Sequence, residues 1–216
     1  MTTSAALREF LRHPHVAELS RALAARPGRR VDAGAARLAA ILLVLRPRED
    51  GDPELLLIKR AEFEGDPWSG HIACPGGRME PGDADLAMTA VRETREETGI
   101  DVDRDGMVLG TLDDLSPRSP LLPQIVIRPF VAVVRRDVVV SPSHEVASAF
   151  WVSLAALRDA ASWGVDFVSV RSGRRRASIF RHDGHVVWGL TERALRQFLS
   201  YAGMPLGSES VDEDLG

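Results

Sequence analysis

Apolar positions recur along this chain with two different periods. Over Ala5–Leu11 and Val16–Ala25 they return every three or four residues, the spacing of one helical face, with a break near Pro14 and a stop at Pro27-Gly28. From Arg37 to Arg46 the pattern changes to a continuous run, Leu38–Leu45, and a second run covers Glu54–Lys59. Short apolar runs separated by turn formers such as Glu49-Asp50-Gly51-Asp52-Pro53 read as buried strands. Further strands are expected at Val108–Leu112, at Gln124–Val134 with an interruption at Pro129, at Val138–Val140 and at Phe150–Val152, the last leading into a helix over Ser153–Ala160. Ala177–Arg181 and His185–Trp188 flank Asp183-Gly184, the signal of a type I′ hairpin. Thr191 is placed to cap a final helix running to Ala202, stopped by Gly203 and Pro205.

This order of strands and two principal helices implies an α/β fold, a mixed sheet between helices. Residues 1–35 form a helical extension, 36–203 the main domain, and 204–216 an acidic tail expected to be disordered. The extension is either an extra layer over the domain or the contact surface of a homodimer; the sequence leaves both open. The Pro/Ser-rich stretch Ser116–Pro123 is long enough to form a lip over a site. A hydrophobic content of 44% with 27% charged residues describes an ordinary globular protein, and no internal repeat appears. The net charge of −4 gives no electrostatic basis for binding nucleic acid. The longest apolar run falls far short of the ~20 residues of a membrane span, so no membrane partner is expected. A single cysteine rules out an internal disulfide and a Cys-based zinc site, and fits a reducing, cytoplasmic compartment.

The chemistry concentrates between Pro75 and Ile100, PGGRMEPGDADLAMTAVRETREETGI. Asp83 or Asp85 can cap the helix that follows, and Gly99 stands where a C′ glycine ends one. On that helix Glu93, Glu96 and Glu97 lie at i, i+3 and i+4, so their carboxylates share a face and repel one another. A solvated stripe of Glu and Arg is the commoner meaning of such a run taken alone. The paired glycines ahead of it shift the balance, because a backbone without side chains can approach a bound ion closely. Hard carboxylate oxygens suit Mg²⁺ or Mn²⁺, not zinc.

Gly77, followed by Arg92-Glu93-Thr94-Arg95-Glu96-Glu97-Thr98-Gly99-Ile100, resembles the Nudix box, G-x5-E-x7-R-E-U-x-E-E-x-G-U with U bulky and apolar. The second half matches almost completely, with Thr94 a weak U. The first half departs: counting forward from Gly77 reaches Asp83 where the family has Glu, whereas counting back from Arg92 reaches Ala84. The resemblance implies the α/β/α Nudix sandwich and a pyrophosphohydrolase. It implies divalent ions on Glu93, Glu96, Glu97 and the Gly77 carbonyl, with Arg92 orienting the glutamates. Glu145, in Ser143-His144-Glu145-Val146, resembles the downstream acid that many Nudix enzymes bring to the metals. It stands as candidate general base beside Glu97 itself.

Leu56-Leu57-Ile58-Lys59-Arg60-Ala61 and Gly70-His71-Ile72-Ala73-Cys74-Pro75-Gly76-Gly77 resemble the signature that precedes the box in coenzyme A pyrophosphatases. Gly65 stands where that signature has Arg, and Cys74 where it has Phe. The expected substrate is a small nucleoside diphosphate derivative of coenzyme A type, cut to 3′,5′-ADP and 4′-phosphopantetheine. Another such derivative (ADP-ribose, a nucleotide sugar, a dinucleotide) and a nucleotide-sensing domain without catalysis are the alternatives. Cys74, His71, His144 and the four tryptophans read as packing or exposed residues. Arg174-Arg175-Arg176 reads as a solvated basic turn, and the pair His182 and His185 as exposed side chains beside the Asp-Gly turn.

Overall fold

A computed structural model describes residues 5–66, 68–117, 124–170 and 173–206. Helices α1 (Ala5–Phe10) and α2 (Pro14–Ala25) come first, with Pro14 at the start of α2, where its missing N–H is no loss. Strands β1 (Arg37–Pro47), β2 (Pro53–Arg60), β3 (Ile72–Ala73) and β4 (Gly76–Arg78) lead to helix α3 (Leu86–Thr98) and the short α4 (Val102–Asp105). Then come β5 (Gly106–Thr111), β6 (Ile125–Val134), β7 (Val146–Ser153) and α5 (Leu154–Arg158). The chain closes with β8 (Trp163–Val170), β9 (Gly173–His182), β10 (His185–Trp188) and α6 (Gly189–Tyr201).

The main sheet runs β3-β2-β1-β6-β5, with β4 added on β1 and β7 on β2. β1 and β6 pair in parallel and the other pairs are antiparallel, so the sheet is mixed. One edge of β1 serves two partners: Leu45–Pro47 pair with β2, and Ala39–Ile41 pair with β4. This division fixes the two glycines of β4 in the middle of the sheet instead of in a free loop. Pro129 sits inside β6 opposite Ile41, and on its other side the ladder to β5 shifts register between Val108 and Gly110.

Each face of the sheet carries a core. On one face Leu86 and Ala90 of α3, with Ile100 and Val102, pack on Ala40, Leu42, Val44 and Leu56. On the other, Leu7, Phe10, Val16, Leu19 and Leu23 of the first two helices join Leu43, Leu45, Leu55 and the α6 residues Leu195, Phe198 and Leu199. The N-terminal helices are therefore a layer of the fold. Polar links reinforce them: Asp113 accepts bonds from Arg26, Arg29 and the Tyr201 hydroxyl, and Asp114 pairs with Arg128 and Arg30.

Several elements differ from expectation. Val138–Val140 is not a strand; Val138 is buried against the α3 side of the core, and Ser141 N–H bonds the Thr98 carbonyl. Thr191 does not cap α6, which starts two residues earlier behind Trp188 with no side-chain cap. β8 is additional to the strands expected from the sequence pattern, and it forms with β9 and β10 a separate three-stranded sheet. The β9–β10 turn has positive φ at Asp183 (45°) and Gly184 (78°), as a type I′ turn requires. The His182 ring stacks on Phe180 and the His185 ring on Phe150, so both are half-buried and not simply exposed. Residues 207–216, with most of the expected acidic tail, and positions 118–123 of the expected lip lie outside the described residues. No helix among the described residues is long and apolar enough to cross a membrane.

Candidate active site

Asp85 caps α3, its Oδ1 accepting the Met88 N–H at 2.8 Å, and Gly99 closes the helix at φ 74°. That leaves Asp83 for another task. Its buried carboxylate receives Arg92 Nε at 2.9 Å and Nη2 at 3.0 Å, together with the Glu80 N–H and the Thr89 hydroxyl. Arg92 holds this carboxyl well below the usual carboxylate range, and Asp83 in turn raises the Arg92 guanidinium further. The forward count from Gly77 is thus the physically relevant one: Asp83 ties loop to helix although the residues before Arg92 are offset by one.

Arg92 is the hub. Besides Asp83 it reaches Glu96 Oε2 through Nη1 at 2.9 Å, Glu93 Oε1 through Nη2 at 3.0 Å, and the Arg78 carbonyl at 3.2 Å. The three glutamates consequently occupy three environments. Glu96 is the most exposed and leans on Arg92. Glu93 is half-buried over Gly77, so close that a Cβ at position 77 would lie 2.5 Å from its carboxyl carbon. Glu97 is buried, its Oε2 accepting the Gly76 N–H at 2.8 Å. Thr94, the weak apolar position, is fully buried and returns its hydroxyl to the Ala90 carbonyl at 2.7 Å.

Burial disfavours the charged forms of Glu93 and Glu97 and raises both pKa values, that of Glu97 to about 7. The Glu145 charge adds the smallest contribution to both shifts. The Glu145 carbonyl accepts the Ala61 N–H, and Ser143 N–H bonds the Glu97 carbonyl, so the loop carrying Glu145 is stitched to β2 and to the end of α3. The sequence alone did not single out Arg60. Located at the end of β2, it sits 3.9 Å from Glu97 Oε1 and pairs with Asp66 at 2.9 Å. Arg60 lies within the motif quoted above, but only the strand pairing reveals that it faces Glu97.

The donor set fits a hard divalent cation. It consists of the Glu93, Glu96 and Glu97 carboxylates, arranged about a backbone stripped of side chains at Gly76-Gly77. Among the described residues no three acidic, His or Cys side chains close into a ready-made cage. An open arrangement suits an ion that keeps waters and substrate oxygens in its shell. Cys74, buried ahead of the glycines, has its thiol pushed up to about 12 by burial, which disfavours the reactive thiolate. His71 packs on Trp188 with ring centroids 4.7 Å apart, and burial lowers its pKa. Arg174 and Arg176 are exposed on β9, with Arg174 over the Phe167 ring.

The fold and these acids gathered around paired glycines are in keeping with a hydrolase of phosphoric anhydrides. The NUDIX domain profile matches residues 35–169, and the chain belongs to the Nudix hydrolase family. Over 164 residues it is 31% identical to the uncharacterized Nudix hydrolase NudL of Photorhabdus laumondii, covering 74% of this chain and 82% of that one. It is 34% identical over 182 residues to the mitochondrial coenzyme A diphosphatase NUDT8 of Homo sapiens, covering 76% of this chain and 71% of that protein. The crystal structure of a MutT/nudix family protein from Enterococcus faecalis superposes with a TM-score of 0.52 at 15% identity, over 94% of this chain and 76% of that one, a likeness of fold.

Proposed function

We propose that this protein is a Mg²⁺- or Mn²⁺-dependent diphosphohydrolase that cuts coenzyme A or its derivatives into 3′,5′-ADP and 4′-phosphopantetheine. The observation that carries the reading is the placement of Glu93 and Glu97 against the Gly76-Gly77 backbone. Glu93, Glu96, Glu97 and the Gly77 carbonyl would hold the ions. When bound, such ions neutralise diphosphate charge and acidify water. Arg92, anchored on Asp83, sets the positions of Glu93 and Glu96. Arg60 lies 3.9 Å from Glu97 Oε1. Glu145 is exposed and makes no ion pair among the described residues, which suits a proton acceptor for the attacking water. Water oxygen bonds to one phosphorus, the bridging P–O bond breaks, and the leaving phosphate departs with its electron pair.

The coenzyme A assignment is supported by the motif before the box and by the human relative at 34% identity. Its test is a panel of coenzyme A, ADP-ribose, a nucleotide sugar and a dinucleotide incubated with Mg²⁺, with products identified by mass. Release of 3′,5′-ADP from coenzyme A at the highest kcat/KM supports the proposal. Turnover confined to the other compounds removes coenzyme A and leaves the phosphorus chemistry standing. Glu145→Gln is expected to lower kcat ~10²–10³-fold with Mn²⁺ affinity unchanged. Glu97→Gln is expected to lower both.

A further inference from the structure

Next to the glycine pair lies an open cleft of about 430 Å³, lined by Arg37, Leu38, Arg78, Met79, Glu80 and Pro81, with Asp83 at its edge. We propose that this cleft seats the nucleotide end of the substrate and that Arg37 and Arg78 jointly hold the phosphate on its ribose. The proposal rests on the coenzyme A reading above, whose nucleotide half carries a 3′-phosphate.

Three features support it. The volume falls within the range of small-ligand sites, and Leu38, Met79 and Pro81 offer apolar surface to a base. The two arginines are brought together by register: Ala39 pairs with Arg78, and Arg37 lies two residues from Ala39, hence on the same face of the sheet. Diagonal neighbours of that kind have backbones ~7–8 Å apart, a spacing two long side chains can bridge onto one phosphate. Neither guanidinium is in an ion pair among the described residues, whereas the nearest buried acid, Asp83, is already satisfied by Arg92. Finally, Arg78 directly follows Gly77, and Arg92 fixes the Arg78 carbonyl at 3.2 Å. Arginine forks match phosphate oxygens in pairs, so the recognised group is a dianionic monoester.

The test is calorimetric titration of the full chain in Mg²⁺ with adenosine 3′,5′-bisphosphate and with adenosine 5′-monophosphate. Wild type is expected to bind the bisphosphate at least tenfold more tightly. In R37A/R78A that preference falls to within twofold of unity, while monophosphate affinity stays within twofold of wild type. R37K/R78K, which keeps the charge without the fork, is expected to retain part of the preference. Any of three results overturns the assignment: no preference in wild type, an undiminished preference in R37A/R78A, or parallel weakening of both nucleotides, the mark of a diffuse positive field. Cleavage of coenzyme A by a wild type that lacks the preference would remove this inference alone. A strong preference without cleavage of any diphosphate would instead remove the catalytic proposal.

Discussion

Adding one methyl group at Gly77 separates a functional glycine from its structural neighbour. A Cβ built there falls 2.5 Å from the Glu93 carboxyl carbon and from one of its oxygens, where ordinary contact begins near 3.4 Å. The obstacle is the far end of a flexible side chain, so Gly77→Ala is relieved by a retreat of the carboxylate of about 0.9 Å. The fold then loses little, and thermal stability is expected to change by less than ~1 kcal/mol. Catalysis is less tolerant. A displacement of about 1 Å at a catalytic group costs on the order of 10²-fold in rate, and the same retreat is expected to weaken Mn²⁺ binding, read by electron paramagnetic resonance. Gly76→Ala provides the contrast. Its Cβ would meet the Ala40 carbonyl oxygen at 2.2 Å and Ile41 Cα at 2.6 Å, and its φ is 151°. Backbone cannot step aside, so the fold is expected to lose at least ~1–3 kcal/mol from strain alone. Steady-state kinetics and urea denaturation of both variants decide the matter. If Gly77→Ala keeps more than a third of wild-type kcat with unchanged Mn²⁺ affinity, the placement of Glu93 over this backbone is not what activity depends on.

Three further outcomes are expected. Glu97 binds its proton more tightly folded than unfolded, with a folded pKa of about 7 against an ordinary value near 4.5. The metal-free protein in chelator should therefore lose stability as pH rises from about 4.5 to about 7, and Glu97→Gln should flatten that slope in melting curves; an unchanged slope refutes the assignment. Cys74, buried and with its thiol near 12, should resist iodoacetamide at pH 8 in the native state and react fully in urea; stoichiometric native labelling contradicts its placement. A variant beginning at residue 36 loses Leu7, Phe10, Val16, Leu19 and Leu23 from the core. At ~2 kcal/mol each this approaches the whole stability of a domain, so circular dichroism should show no cooperative melt.

What could be read from the sequence was local. The box helix, its Gly99 stop, the crowding of Glu93, Glu96 and Glu97, and the Asp183-Gly184 turn all depend on residues a few positions apart. Hydrophobic period, capping chemistry and like-charge spacing act over that range, so the linear order already contains them. Long-range placement was decided only by tertiary structure. Asp83 and Asp85 are chemically equivalent caps until Arg92 folds over one of them. Val138–Val140 has strand composition but forms no ladder among the described residues, and the chain turns instead to the end of α3. β8 gains its strand form from pairing with β9, not from its own pattern. Arg60 faces Glu97 because β2 and β4 divide one edge of β1. That residues 5–25 form a layer of the fold likewise follows from a hydrophobic face that becomes meaningful only against α6 and the sheet. An apolar stripe states how much surface a segment must bury, and only the assembled molecule states against what.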